Sequence, residues 1–170
     1  MKICIVRHGE TEWNRLGIKQ GLRDVPLNEN GRKQAVRCGK ELSFEKWGGI
    51  ICSTLSRAKE TAKIIANQIG EIKVLENELL VERDYGECDS NGGKRNGEDS
   101  ENLKERANLV LETIVKDFFP NNVIIVSHGE IIGEMLHVGK KTKFHNAAIS
   151  MVEYDGNKYK IEFINRKTLK

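Results

Sequence analysis

Several features that would mark a particular class of protein are scarce or missing in this sequence. Aromatic residues make up only 6% of the 170 residues and the formal net charge is only +3, whereas nucleic-acid-binding domains usually combine a strongly basic surface with stacking aromatics. No apolar run approaches the roughly 20 residues that a membrane-spanning helix needs, and the N-terminal stretch MKICIVRHGE becomes charged too early for a signal peptide. We therefore expect a cytoplasmic protein that binds neither nucleic acid nor a membrane; the sequence does not indicate its oligomeric state.

Metal and redox motifs are missing as well. The four cysteines, Cys4, Cys38, Cys52 and Cys88, form no CxxC pair and have no histidine at ligand spacing, so neither a zinc site nor a redox motif is indicated. The spacings HxH and HExxH of metal sites and the GxSxG turn of serine hydrolases are also absent. We predict a protein without a metal ion or another cofactor, in which Cys4 and Cys52 are small buried hydrophobic residues in strands.

What the sequence does contain is an alternation of short apolar runs with amphipathic stretches, over a length that suits a single domain at 1–170. Apolar, β-branched runs predict strands at 2–6, 48–53, within 71–82 and at 122–126. Two further runs with period-2 alternation flank Asp155-Gly156-Asn157 and predict a hairpin close to the end of the chain.

Helical patterns separate these strands. Asn28 is a good N-cap for a first helix, a second helix should begin at Ser53 or Thr54, a third should end before Pro120, and a short fourth follows the strand that ends at Val126. Strands that alternate with helices predict an α/β fold. We expect a three-layer sandwich with a mostly parallel central sheet, helices on both faces and a C-terminal hairpin at one edge.

Two short stretches of the chain are nearly identical: IVRHGE, which contains His8, and IVSHGE, which contains His128. Each ends an apolar run that predicts a strand, and open parallel sheets bind ligands beyond the carboxyl ends of their strands. If the two strands are neighbours, both imidazoles can face one crevice. Gly9 and Gly129 would then allow the backbone to approach a ligand closely.

The residue types at this crevice favour phosphoryl transfer. Unprotonated imidazole is a competent nucleophile toward phosphorus, and the guanidinium of Arg7, next to His8, matches two phosphate oxygens at once. A cation beside His8 also disfavours protonation of the imidazole, which helps a nucleophile.

Further motifs follow in order along the chain: RHGET at 7–11, Asn14, QGLRDVPLNENGRKQA at 20–35, CSTLSRAKETA at 52–62, LLVERDYGE at 79–87 and the second SHG. In this order they resemble the histidine phosphatase superfamily, also called phosphoglycerate mutase-like, and the sequence looks most like its small phosphatases. The resemblance extends from Met1 to about Asn165.

The resemblance implies a role for each residue on the phosphate side of the site. His8 would be the nucleophile that becomes phosphohistidine, with its other ring nitrogen held by a backbone acceptor. Arg7 and Arg57 would grip the phosphoryl oxygens, Asn14 would donate a further hydrogen bond, and His128 would stabilise the charge on the transferring group.

It also implies roles on the leaving-group side. Glu82 would protonate the leaving oxygen and then activate water, which requires a raised pKa, whereas Gln20 and Gly21 would line the substrate side together with Gly129. Other carboxylates compete for the acid role, and Glu82 is preferred only because it matches the family position. The competitors are Glu10, Asp84, Glu87 and Glu130.

The resemblance leaves the reaction open between hydrolysis and isomerisation. Mutases of the family are longer, with a basic insertion after the ERxYG segment and a tail that closes the pocket, so the short chain favours a phosphatase acting on a small phosphorylated metabolite. A phosphoglycerate mutase-type isomerase and a non-catalytic phosphate-binding module are the alternatives. The polar, Gly-rich stretch 87–102 departs from the family pattern: it predicts a loop over a loosely covered pocket, broad specificity, and Lys94 and Arg95 as candidate substrate contacts.

Overall fold

The computed structural model describes residues 1–70, 72–88, 94–138 and 142–168, with only the backbone described at 87–88 and 94–95. The strands of its main sheet are β1 (Lys2–Arg7), β2 (Gly49–Ser53), β3 (Val74–Asn77), β6 (Val123–Ser127), β7 (Ile149–Tyr154) and β8 (Tyr159–Arg166). A separate short pair consists of β4 (Glu87–Cys88) and β5 (Lys94–Arg95).

The main sheet has the order β3-β2-β6-β1-β7-β8. The first four strands in this order are parallel, whereas β7 runs antiparallel to β1 and β8 antiparallel to β7. β2 and β6 are buried along their whole length, as expected of apolar parallel strands that are covered on both faces. The mostly parallel sheet and the C-terminal edge hairpin are therefore confirmed.

Helices cover both faces of the sheet. They are α1 (Glu12–Arg15), α2 (Glu29–Leu42), α3 (Ser56–Ile69), α4 (Ser100–Phe118) and α5 (Gly129–Met135). Alternate residues of the strands point to opposite sides: Cys4 and Val6 pack with α2 and α3, whereas Ile3 and Ile5 pack with α4 and α5. Each face thus has its own apolar core, and the predicted three layers are confirmed.

The helix starts show where local signals succeed and fail. Asn28 is the N-cap of α2, and its side chain accepts from the Gly31 N–H at 2.8 Å, as predicted. The predicted start of α3 at Ser53 or Thr54 is wrong, because Ser53 is the last residue of β2. Leu55 precedes α3 without a side-chain cap, and the first-turn N–H of Ser56 is satisfied by Asp24 Oδ1, 2.7 Å away.

The prediction of a loop throughout 87–102 is also wrong at both ends. Residues 87–88 and 94–95 pair as strands β4 and β5, and α4 begins at Ser100 because Asp99 caps it by accepting from the Asn102 N–H at 2.8 Å. Residues 89–93 lie outside the described residues. The side chains of Lys94 and Arg95 do too, so their contact with substrate stays a prediction.

The cysteines that the structure describes are packing residues. Cys4, Cys38 and Cys52 are buried and unpaired, and burial raises the pKa of each thiol, that of Cys52 to about 12. They are thus uncharged at neutral pH and fill the core, as predicted for Cys4 and Cys52. In the described part of the chain, no helix has the length and apolar character needed to cross a membrane.

Candidate active site

The two histidines that follow similar apolar runs lie side by side. β1 and β6 are parallel neighbours with Arg7 opposite Ser127, so both strands end at the same edge of the sheet. The His8 N–H donates to the Ser127 carbonyl at 2.9 Å, and the rings of His8 and His128 have centroids 5.1 Å apart. The condition for one shared crevice, that the two strands are neighbours, is therefore met.

His8 has the protonation and orientation of a nucleophile. Only 2% of the residue is exposed, and burial together with the charges of Arg7 and Arg57 holds the pKa of His8 well below its usual value. Its Nδ1 lies 2.7 Å from the Gly9 carbonyl. Because a carbonyl only accepts hydrogen bonds, Nδ1 carries the ring proton of the neutral imidazole and Nε2 keeps the free electron pair.

Two buried arginines stand beside His8. Arg7 donates from Nη1 to the Phe144 carbonyl, and Arg57 donates from Nη1 and Nη2 to the carbonyls of Arg23 and Gly21, both at 2.8 Å. Burial lowers the pKa of both guanidinium groups, that of Arg57 to about 10, so both remain cations at neutral pH. Among the described residues neither Nε has an acceptor, and a bound oxyanion would supply one.

His128 lies next to His8, and its role as a donor depends on which ring nitrogen carries the proton. Its Nε2 lies 2.8 Å from Ser53 Oγ, which also accepts from the Leu55 N–H at 3.2 Å. Burial, with His8 and Arg57, lowers the pKa of His128 well below its usual value, so the ring is neutral. If the Ser53 hydroxyl donates to Nε2, the proton lies on Nδ1, which is buried and has no acceptor among the described residues.

The pKa of Glu82 is shifted in the direction that a general acid requires. Its Oε1 accepts from the Arg83 N–H at 2.9 Å and from the Glu130 N–H at 3.2 Å. Burial raises the pKa of Glu82, although these two N–H groups and Arg7 oppose the rise. The net direction agrees with an acid that must be protonated before it can act.

These groups surround a cavity of about 210 Å³. Its lining includes the predicted residues Arg7, His8, Asn14, Gln20, Gly21, Arg57 and Glu82, together with Gly17, Ile18, Lys19 and Tyr85. The other two predicted residues adjoin this lining. His128 contacts His8, and a Cβ built on Gly129 would lie 3.8 Å from Arg7 Nε and 3.9 Å from Glu82 Oε2.

Asn14, Gln20 and Gly21, which all line the cavity, are held in different ways. Asn14 Oδ1 accepts from the Thr11 N–H at 3.2 Å and from the Asn146 amide at 3.0 Å, which leaves its Nδ2 to donate. Gln20 Oε1 is buried without a partner among the described residues. Gly21 has a φ of +53°, and an added Cβ would lie 2.9 Å from the Tyr85 ring, so its conformation and the close ring both require glycine.

Comparison with known proteins identifies the family of this chain. A sequence model of the histidine phosphatase superfamily (branch 1) matches residues 3–92 and 89–167. The chain belongs to this superfamily. The family inferred from the ordered motifs is thereby confirmed.

Relatives within the superfamily carry two kinds of name. The uncharacterized phosphatase PhoE of Bacillus subtilis (strain 168) is 33% identical over 96% of this chain and 93% of its own. A 2,3-bisphosphoglycerate-dependent phosphoglycerate mutase of Parvibaculum lavamentivorans is 30% identical over 79% of this chain and 77% of its own. The solved structure of Bacillus stearothermophilus YhfR aligns with a TM-score of 0.88 and 25% identity, over 97% of this chain and 96% of that chain.

Three of the four competing carboxylates have hydrogen-bond partners of their own and do not line the cavity. Glu10 accepts from the Asn28 side chain at 2.8 Å, and Asp84 accepts from the Gly86 N–H at 2.8 Å. Glu130 accepts from Tyr85 and Arg83 instead of lining the cavity. The side chain of the fourth competitor, at position 87, lies outside the described residues.

Gly9 does not have the role expected for it. A Cβ at Gly9 would lie 2.5 Å from the Gly31 carbonyl oxygen in α2, so the close approach is to a helix and not to a ligand. At Gly129 the nearest atoms are those of Arg7 and Glu82, which is the arrangement that was expected at both positions.

Sequence reasoning missed several residues that hold the site together. Ser53 contacts His128, and Asn146 donates to the carbonyls of His8 and Gly9 at 3.1 and 3.3 Å. The strand-end rule that found the histidines would also have found Ser53, because it ends β2 at the same edge of the sheet. Asn146 lies outside the strands and helices, and no local pattern marks it.

The segment that carries Glu82 has its own supports, which the sequence did not indicate. Ser127 Oγ donates to the Leu80 carbonyl at 2.7 Å, and Arg106 Nη1 donates to the carbonyls of Leu79 and Val81, both at 2.7 Å. A two-point ion pair with Glu98 fixes Arg106 in turn. In the ranges that the structure describes, no group of three or more His, Cys, Asp or Glu residues could hold a metal ion.

Proposed function

We propose that the protein is a metal-independent phosphatase that hydrolyses small phosphomonoesters through a phosphohistidine on His8. The observation that carries the proposal is the free Nε2 of a buried, neutral His8, next to N–H donors on Arg7 and Arg57 that have no acceptor among the described residues. Such donors suit a group whose charge lies on equatorial oxygens in the transition state, where positioning and electrostatic stabilisation do most of the catalysis.

The first step transfers the phosphoryl group to the enzyme. His8 Nε2 attacks phosphorus while the bond between phosphorus and the ester oxygen breaks, and Glu82 gives its proton to the leaving alkoxide. The oxygens of the transferring group accept from Arg7, Arg57 and His128. A neutral His8 and a protonated Glu82 are the starting forms that this step needs, and burial favours both.

The second step returns the enzyme to its initial state. Glu82, now a carboxylate, takes a proton from water as the water oxygen attacks phosphorus. The bond between phosphorus and His8 Nε2 breaks and inorganic phosphate leaves. Glu82 has regained the proton that it lost, so the cycle balances without a metal ion.

The small cavity and one of the relatives support hydrolysis of small esters. A volume of about 210 Å³ is below the roughly 300–1,000 Å³ of pockets for drug-sized ligands, so a phosphoryl group and a short alcohol suit it best. The Bacillus subtilis relative is named as a phosphatase, and its alignment with this chain covers nearly the whole length of both.

A mutase is the second candidate, because the Parvibaculum relative is named as one. The first step would be the same, and the two reactions differ only in whether water or a second hydroxyl accepts the phosphoryl group from His8. A small panel of phosphorylated metabolites, assayed in the presence of a chelator for both released phosphate and isomerised product, separates them. We expect phosphate release without isomerisation; isomerisation that depends on an added bisphosphate would select the mutase.

A non-catalytic phosphate-binding module would bind the same ligands without turning them over. The discriminating measurement is rapid acid-free quenching followed by detection of an acid-labile phosphate on His8. We expect this phosphoenzyme within one turnover of substrate addition. No phosphoenzyme and no turnover of any phosphomonoester would select the binding module, and activity lost on chelation would contradict the metal-free steps.

A further inference from the structure

Glu130 lies outside the cavity but contacts residues on its leaving-group side. It is the second residue of α5, and its N–H donates to Glu82 Oε1 at 3.2 Å. Its carboxylate accepts from the Tyr85 hydroxyl at 2.7 Å through Oε1 and from Arg83 Nη1 at 3.2 Å through Oε2. One residue therefore binds the candidate acid with its backbone and a wall of the cavity with its side chain.

We propose that Glu130 is a positioning residue, which joins the acid Glu82 to the aromatic wall formed by Tyr85 and so sets the leaving-group side of the site. This inference rests on the proposed function for the role of Glu82. The arrangement differs from that of Glu10, after the other histidine, whose contacts are to α2: its carboxylate accepts from the N-cap Asn28 and its N–H donates to Gln34.

Tyr85 is held at both ends. Its ring lies against Gly21, where an added Cβ would be 2.9 Å from Cδ2, and the Lys19 ammonium lies 4.7 Å from the ring centroid. At the other end the hydroxyl is bound by Glu130. Loss of that bond would release the hydroxyl end of the ring, although the contacts with Gly21 and Lys19 would remain.

Arg83 connects Glu130 to the rest of the fold. Its Nε donates to the Glu98 carbonyl at 3.0 Å while Nη1 reaches Glu130, and Glu98 is the residue that pairs with Arg106. The carboxylate of Glu130 is thus fixed by a neighbour that is itself fixed by backbone and ion-pair contacts. A side chain held in this way can orient others, whereas a free surface carboxylate cannot.

The charge of Glu130 also acts on Glu82. The charged and titratable groups that face Glu82 are Arg7 from β1, Arg57 from α3, Glu130 from α5 and Tyr85 from its own segment. Glu130 adds to the raised pKa of Glu82, whereas Arg7 opposes it. A neutral residue at position 130 should therefore lower the pKa of Glu82 and leave less of the protonated acid at neutral pH.

The test compares Glu130→Gln with Glu134→Gln, which removes the same charge one turn further along α5. The pH dependence of kcat/KM is measured with glycerol phosphate, whose leaving group needs an acid, and with p-nitrophenyl phosphate, whose leaving group does not. In Glu130→Gln we expect the alkaline limb for glycerol phosphate to move to lower pH, with little change for p-nitrophenyl phosphate. Glu134→Gln should match the parent protein on both esters.

Two further variants separate positioning from charge. Tyr85→Phe keeps the ring but removes the hydroxyl, so KM for glycerol phosphate should rise while the alkaline limb stays in place. Glu130→Ala removes both contacts and should lower kcat/KM for glycerol phosphate about 10- to 100-fold, the cost of misplacing a reacting group by about 1 Å. Equal losses on both esters in Glu130→Gln, or pH profiles identical to those of Glu134→Gln, would overturn the proposal.

A readout without turnover keeps this inference distinct from the proposed function. The Glu82 carboxyl is titrated by carbon-13 NMR in the parent, Glu130→Gln and Glu134→Gln proteins. A lower Glu82 pKa in Glu130→Gln alone supports the inference, and an unchanged one overturns it. Failure of the parent protein to hydrolyse either ester would instead count against the proposed function, whatever the titration gives.

Discussion

The ends of β1 and β6 carry the same His-Gly-Glu, yet the two copies do different things. After β1, Gly9 packs against the backbone of Gly31 and Glu10 binds Asn28, so the two residues after His8 fasten the strand end to α2. After β6, Gly129 is open toward Arg7 and Glu82, and Glu130 binds Tyr85 and Arg83. The packing partner, and not the tripeptide, decides what each residue does.

The residue before each histidine shows the same division. Arg7 and Ser127 are register partners in adjacent strands. Arg7 brings a cation to the cavity, whereas Ser127 is buried and donates to the Leu80 carbonyl in the segment that leads to Glu82. In the proposed mechanism, the β1 end therefore provides the phosphoryl-accepting group and a cation, and the β6 end provides a supporting donor and holds the acid.

Replacing each histidine should give the largest losses of turnover, with a different loss at each strand end. His8→Ala removes the nucleophile, and turnover should fall by at least roughly 10⁴-fold with no phosphoenzyme. His128→Ala removes one donor to the transferring group, so kcat should fall about 10²- to 10³-fold while phosphoenzyme still forms. Steady-state kinetics and phosphoenzyme trapping measure both.

The control for this pair is His137→Asn, which changes an exposed histidine with a φ of +50° to a residue that tolerates that conformation. It should leave kcat and phosphoenzyme unchanged. Comparable losses in His8→Ala and His128→Ala, with phosphoenzyme absent from both, would mean that the two histidines do not have separate roles.

Replacing Glu82, the proposed acid, should give the next largest loss of activity. Glu82→Gln should slow hydrolysis of glycerol phosphate by about 10²- to 10⁴-fold and that of p-nitrophenyl phosphate far less. Because burial raises the pKa of Glu82, the protonated acid persists to higher pH than in an exposed glutamate. In the parent protein kcat/KM for glycerol phosphate should fall as pH rises through that pKa, and the variant should lack this fall. Equal losses on the two esters would contradict the acid role.

The sequence allowed the histidines, the sheet and Glu82 to be predicted for different reasons. Apolar runs mark strand ends locally, so His8 and His128 follow from pattern and from the parallel-sheet rule. Glu82 followed only from its match to a family motif, since its burial and its bonds to Arg83 and Glu130 depend on the whole fold. Neither route reaches Asn146, which contacts His8 from a segment far along the chain.

Two predicted helix boundaries failed for different physical reasons. The predicted start of α3 at Ser53 or Thr54 is wrong because β2 continues through Ser53, and Asp24 satisfies the Ser56 N–H from another segment. The start of α4 was missed inside a polar stretch, although Asp99 caps it locally. The polar composition of this stretch favoured a loop, although it contains the N-cap residue Asp99.

Substitutions at Gly9 and Gly129 should affect stability and activity, respectively. Gly9→Ala would place a methyl 2.5 Å from the Gly31 carbonyl oxygen, and relieving this overpacking should lower the free energy of unfolding by about 1–3 kcal/mol. Gly129→Ala meets no atom closer than 3.8 Å, so stability should be kept, while the methyl beside Arg7 and Glu82 should lower kcat/KM by up to about 100-fold. Denaturant unfolding and kinetics on both variants measure this; the reverse pattern would show that Gly9 faces the ligand.

The smallest expected effect tests the residue that differs between the two strand ends. Ser127→Ala leaves the Leu80 carbonyl without its buried donor and should cost about 1 kcal/mol of the free energy of unfolding. Because Leu80 lies two residues before Glu82, kcat/KM should fall a few-fold for glycerol phosphate and stay unchanged for p-nitrophenyl phosphate. Denaturant unfolding and kinetics with both esters provide the measurements.

Ser56→Ala is the matched control, since the Ser56 hydroxyl is buried and has no hydrogen-bond partner among the described residues. Removing it deletes the same atom without breaking a bond, so stability and both activities should be kept. If Ser127→Ala behaves like this control, the carbonyls of Leu79 and Val81, which Arg106 binds, suffice to hold the acid. The β6 end would then support catalysis through His128 and Glu130. Ser127 would fill space at the end of β6 without contributing to activity.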